Sequence, residues 1–84
     1  MTISKMKISV TRVYEVEGLG DRIRRERKAS RKTITQLAAE AGISVAYWNR
    51  IETEKLVSLP IETLRAIEKV LDVSLGVSLG VSID

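Results

Sequence analysis

Asn49 and Arg50 stand side by side, with Val45 and Ala46 one helical turn earlier and Thr53 one turn later. On a helix these positions gather on one side. Their chemistry suits the edges of base pairs. A guanidinium donates two bonds to guanine, a carboxamide pairs with adenine or reaches a phosphate, and small apolar groups touch a thymine methyl. Trp48 and Ile51 fall on the opposite side and are bulky and apolar, suited to anchoring. The spacing predicts a helix with one face held in a domain and the other free to enter a major groove.

Other polar groups cluster around it. Ser44, Thr33, Thr35 and Gln36 sit near expected helix N-termini, where backbone amides also favour phosphate. Tyr47 offers a hydroxyl to a phosphate or sugar. Residues 21–32 hold seven basic side chains, among them Arg24, Arg27, Lys28 and Arg31, against Asp21 and Glu26. That segment is +5 in a chain whose formal charge is only +3, so the rest sums to −2. The asymmetry suggests a polyanion partner. Each feature alone has a plainer explanation: a solvated helix face for the basic block, an ordinary surface for Asn49 and Arg50, a core residue in Trp48, a helix cap in Ser44. The case for DNA rests on the constellation.

The elements that must position these residues are also legible. Ile34 to Thr53 reads as two short helices joined by a tight turn at Gly42, with Leu37, Ala38, Ile43, Trp48 and Ile51 buried between them. Thr33 is the expected N-cap of the first of the pair, with Gln36 as its capping-box partner. Gly42, lacking a Cβ, can take the left-handed conformation that ends it. Ser44 should cap the next helix, from Val45 to about Glu54. An earlier helix should start near Asp21 as N-cap and run to about Ala29 or Ser30, with Leu19, Ile23 and the stem of Arg27 inward. A later one should run from about Pro60 to Leu71, with Leu64, Ile67, Val70 and Leu71 as its apolar stripe.

Both ends read as strand-forming. Residues 1–17 are rich in β-branched residues and show near alternation, followed by a turn at Gly18 and Gly20. Residues 73–84 repeat a four-residue unit with every odd position apolar, which fits either a strand-like segment or a low-complexity tail. The sharper reading pairs this tail with the N-terminal strand, within one subunit or across a dimer. Three segments result: an arm at 1–17, a DNA-binding domain at 18–72 and a tail at 73–84.

Composition narrows the function. Eighty-four residues make one small, marginal domain. The chain has no cysteine and no histidine. Disulfides, thiolate metal sites and the commonest general base are therefore absent. There are no clustered carboxylates, and Gly18-Leu19-Gly20 is too short for a dinucleotide fingerprint. The chain is expected to be no enzyme and to use no metal or cofactor. Charged residues interrupt every apolar run, so a cytoplasmic protein is expected, of bacterial or phage type.

RIRRERKAS, TQLAAEAGIS, YWNRIE and LPIETLRAIEKVLDVS carry a resemblance. The stretch from Leu19 to Ser74 resembles the lambda-repressor-like, Cro and xenobiotic-response-element family of helix-turn-helix regulators. The resemblance implies a mainly α fold of four to five helices, here with an added N-terminal β-strand and the strand-like tail. It implies a third helix in the major groove and a second across the backbone. Dimers would sit on half-sites roughly 34 Å apart. It also implies an ion pair between Arg27 and Glu52, orienting Arg27 toward phosphate. The family often follows that glutamate with a basic residue and a glycine; here Thr53 and Glu54 intervene before Lys55, and Glu54 near phosphate would weaken binding. Ile34 replaces the family's phosphate-binding glutamine. The expected protein is a dimeric repressor that binds double-stranded DNA. The alternative is an antitoxin-like module that covers a partner protein, such as a toxin, with the strand at 3–16 or the tail at 73–83.

Overall fold

The computed structural model describes residues 5–9 and 13–76. Its elements run β1 (Lys5–Ser9), β2 (Val13–Glu17), α1 (Leu19–Ala29), α2 (Ile34–Ala41), α3 (Val45–Glu52), β3 (Leu59–Pro60) and α4 (Ile61–Leu71). The mainly helical fold expected from the sequence is present, with four helices among the described residues. None of these helices is long and apolar enough to cross a membrane.

The arm is a hairpin rather than one strand. β1 and β2 pair antiparallel, with Met6 opposite Val16 and Ile8 opposite Tyr14. Even-numbered residues face even-numbered residues in this register, so the alternation runs through the reversal unbroken. Residues 10–12 (Val-Thr-Arg) contain none of the residues that punctuate turns. Periodicity alone could not separate one strand from two. Met6 and Ile8 are buried in the core. On the other face the register sets Lys5 opposite Glu17, opposite charges that favour pairing. β3, which the sequence did not announce, pairs parallel with β1 through Leu59 opposite Ile8, giving the order β2-β1-β3.

α1 begins three residues earlier than expected, cap for cap. Gly18 is its N-cap, in the left-handed conformation, and Asp21 lies in its first turn. The earlier start brings Leu19 into the helix, where it is fully buried alongside Ile23. Gly20 belongs to this helix and not to a turn. A Cβ at Gly20 would lie 2.5 Å from the carbonyl oxygen of Glu52. The glycine is there because the start of α1 and the end of α3 touch. Gly20→Ala should therefore cost about 1–3 kcal/mol despite its better helix propensity. A melting temperature at or above that of the wild type would disprove the close approach.

α2 and α3 follow local capping chemistry. Thr33 Oγ1 accepts from the Gln36 N–H, and Gln36 Oε1 accepts from the Thr33 N–H at 2.9 Å, a reciprocal capping box. Gly42 takes φ 78°, and the N–H groups of Gly42 and Ile43 close onto the carbonyls of Ala39 and Ala38. Ser44 Oγ accepts from the Tyr47 N–H at 3.0 Å. Leu37, Ala38, Trp48 and Ile51 are buried where the two helices cross, and Ala38 supplies the small side chain there.

α3 ends at Glu52, two residues short of the expected boundary. The N–H groups of Glu54 and Lys55 bond to the carbonyls of Ile51 and Arg50, and Glu54 lies at φ 58°. This is the Schellman closure that stops a helix.

The tail begins without a strand. Residues 73–76 are irregular, and the rest of the expected strand, 77–84, lies outside the described residues. The period-two pattern still shows in burial: Leu75 is buried and Val73 packs on the core, while Ser74 and Gly76 are exposed. Leu75 is held at both backbone groups. Its N–H donates to Glu68 Oε2 at 2.9 Å, and its carbonyl accepts from Arg22 Nη1 at 2.7 Å. Arg22 thereby ties the end of the domain to α1.

Candidate nucleic-acid interface

α3 carries two faces of different character. Trp48, Ile51 and Glu52 are buried; Ala46, Asn49, Arg50 and Thr53 are exposed. Val45 and Tyr47 sit at the margins, half-buried against the core. The free face is thus narrower than the sequence suggested, with these two at its edges. Thr53 caps the helix, its hydroxyl donating back to the Asn49 carbonyl at 2.9 Å.

Glu52 locks the buried face. Arg27 grips its carboxylate with two parallel bonds, Nε to Oε2 at 2.5 Å and Nη2 to Oε1 at 3.0 Å. Trp48 Nε1 donates to Oε2 at 2.7 Å. Glu52 is only 8% exposed, and these donors supply what water no longer does. The hydrogen bond to Glu52 raises the Arg27 pKa above its ordinary value; burial opposes this and the carboxylate charge reinforces it. Arg27 therefore ties α1 to α3.

The basic residues separate by position. Gly20, Arg24 and Arg27 share one stripe of α1 at helical spacing. Gly20 and Arg27 both touch the end of α3, so the exposed Arg24 between them lies on the α1 edge nearest that end. Lys28 falls on the neighbouring outward face with Asp21 and Arg25. These residues, with Arg24 and Gly18, line an open depression of about 390 Å³. Arg31 is exposed in the connection to α2, and Lys55 is exposed just past α3. Lys32 instead pairs with Glu40 at 2.7 Å.

At the start of α2, Thr35 is exposed, whereas the Thr33 hydroxyl and the Gln36 carbonyl oxygen are taken up in the capping box. The Gln36 amide nitrogen remains as a donor. Ile34 packs against the core, which accounts for an apolar residue at that position. The Ser44 hydroxyl serves as a cap, leaving its proton to give. Glu54 departs from expectation. Its carboxylate turns inward, Oε2 accepting from the Gly20 N–H at 2.9 Å while Oε1 is buried without a partner. It does not stand as an exposed negative charge beside the basic residues.

A helix-turn-helix domain family matches residues 18–79. The chain belongs to this family. The lambda-repressor-like resemblance read from the sequence is upheld by a second likeness. The N-terminal DNA-binding domain of SinR from Bacillus subtilis superposes with a TM-score of 0.63 at 30% identity, covering 80% of this chain and 97% of that one. No curated protein sequence matches. Within the family match, the paired helices are α2 and α3, and the hairpin of β1 and β2 precedes the matched region.

Proposed function

We propose that this helix-turn-helix chain binds double-stranded DNA as a sequence-specific, cytoplasmic transcription regulator, with α3 in the major groove. The observation that carries this reading is the division of α3. A face of Ala46, Asn49, Arg50 and Thr53 is free, while the opposite face is fixed by Trp48, Ile51 and Glu52. A helix held so rigidly at its back can place side chains against base edges with the accuracy that direct readout needs. In this reading Asn49 and Arg50 read bases, with Ala46 and the margin of Val45 against thymine methyls. Arg24, Arg31, Lys55 and the more distant Lys28 meet phosphates, as do Thr33, Thr35, Gln36, Ser44 and Tyr47 around the two helix starts. Arg27, already engaged by Glu52, contributes its remaining donors. The protein acts as a homodimeric repressor on two half-sites roughly 34 Å apart.

The test is selection from a randomised duplex pool, with binding followed by fluorescence anisotropy. A two-fold symmetric motif is expected. Arg50→Ala should relax preference at one base position in each half-site at a cost of about 1–3 kcal/mol. Recovery of no motif, or an unchanged preference in that variant, would reject the reading.

A second reading is favoured by one specific feature. The outer edge of β2 is unpaired among the described residues, as a strand-accepting surface would be. An edge of this kind supports the antitoxin-like alternative, in which a partner protein adds a strand there. A purified chain that is monomeric and binds no duplex would move this reading to first place.

A further inference from the structure

Three of the four helices among the described residues end in the same closure, with a left-handed residue just past the last turn. α2 uses Gly42, for which the conformation costs little. α4 uses Asp72, a residue type that tolerates it. α3 uses Glu54, which gains nothing from it locally. A carboxylate at a helix C-terminus is also opposed by the helix dipole. Something other than the turn accounts for a glutamate there.

The answer lies across the interface. Gly18, the N-cap of α1, has no side chain to satisfy the first N–H groups of that helix. Glu54 Oε2 supplies the missing acceptor to Gly20 from 34 residues away. The dipole that opposes the carboxylate at α3 favours it at the start of α1. Thirty-four residues of chain are thus closed by a contact that belongs to both helices. Glu52 and Arg27 make a second contact further along α1. One fastening permits α3 to pivot; two set its angle.

We propose that Glu54 is a positioning residue: by capping α1 from the exit of α3, it fixes how the free face of α3 is presented beside Arg24. This rests on the DNA-binding reading above. Loss of the contact lets α3 pivot about Arg27 and Glu52, which blurs base readout while leaving phosphate attraction in place.

Glu54→Gly is the informative variant. It removes the carboxylate and the unfavourable backbone conformation together, so the two effects on stability oppose each other and the fold is retained. Affinity for the selected duplex should fall about tenfold, comparable to the loss of one bidentate base contact, with less than about a twofold change on random duplex. Glu54→Gln keeps an oxygen for the Gly20 N–H and should bind the selected duplex within about threefold of wild type. Unchanged specific affinity in Glu54→Gly, equal losses on both duplexes, or failure of Glu54→Gln to bind would each overturn the proposal. Hydrogen exchange at the Gly20 amide gives a readout independent of DNA, and should quicken at least about tenfold in Glu54→Gly. A wild-type chain that selects no motif would defeat the DNA reading. An exchange rate unaltered by Glu54→Gly would defeat the contact itself.

Discussion

Glu52→Ala should lower the free energy of unfolding by about 3 kcal/mol, the low end of the cost of breaking a buried pair. In a domain of this size that is a fall of roughly 12–24 °C in melting temperature. One carboxylate receives bonds from Arg27 Nε, Arg27 Nη2 and Trp48 Nε1. Removing it strands a buried indole N–H and a guanidinium that is largely enclosed, its side chain 22% exposed. The indole N–H cannot turn to water without dismantling the contact between α1 and α3. The low end of the range applies because Arg27 keeps that partial access. Glu40→Ala is the control. It breaks the pair with Lys32, in which both side chains are 46% exposed, and should cost at most about 1 kcal/mol. Thermal denaturation of the two variants beside the wild type decides the matter. Similar melting temperatures for both would mean that Glu52 is not the tie between α1 and α3.

What the sequence made legible follows the range of the interactions involved. The caps of α2 and α3 were readable because each is written within four residues: Thr33 with Gln36, Gly42 with Ala38 and Ala39, Ser44 with Tyr47. The buried and free faces of α3 followed from its period, with only Val45 and Tyr47 drawn too far outward. The Arg27–Glu52 pair came from family resemblance; the spacing of two residues 25 apart does not reveal it. Several of the expectations that changed share one cause. Asp21 looked like an N-cap because nothing nearby in the chain announced that Glu54 would serve α1 instead. Gly20 looked like part of a turn because the backbone it must admit belongs to α3. Arg22 looked like one more cation for a polyanion, yet it holds the carbonyl of Leu75, 53 residues away. The pairing of β3 with β1 joins two segments with no local mark of their association. Long-range bonds from side chain to backbone leave no period and no motif, and here they set the helix boundaries and the use of individual charges.

That redistribution of charges bears on how DNA binding should respond to salt. With Arg22 bonded to the tail, Lys32 paired with Glu40 and Arg27 held by Glu52, the basic block keeps Arg24, Arg25, Lys28 and Arg31 exposed, and Lys55 adds one past α3. The proposed interface takes four of these five to phosphate, Arg24, Lys28, Arg31 and Lys55, and assigns Arg50 to bases. Neutralising about four phosphates per protomer gives a slope of about −3.6 in log affinity against log salt. A rise from about 50 to about 200 mM salt should then weaken binding on the order of 100-fold per protomer, and on the order of 10⁴-fold for a dimer on its full site. Arg24→Ala should remove about 0.9 from the slope per protomer and weaken selected and random duplexes alike. Arg50→Ala should leave the slope nearly unchanged while its loss falls on the selected duplex. Anisotropy titrations of the three proteins on both duplexes over a salt series separate these outcomes. A flat salt dependence would exclude the basic residues from the interface. Equal losses for Arg24→Ala and Arg50→Ala on selected and random duplexes would mean that phosphate attraction and base reading are not divided between α1 and α3. In that case the locked back of α3 would have to serve another purpose than accuracy of readout.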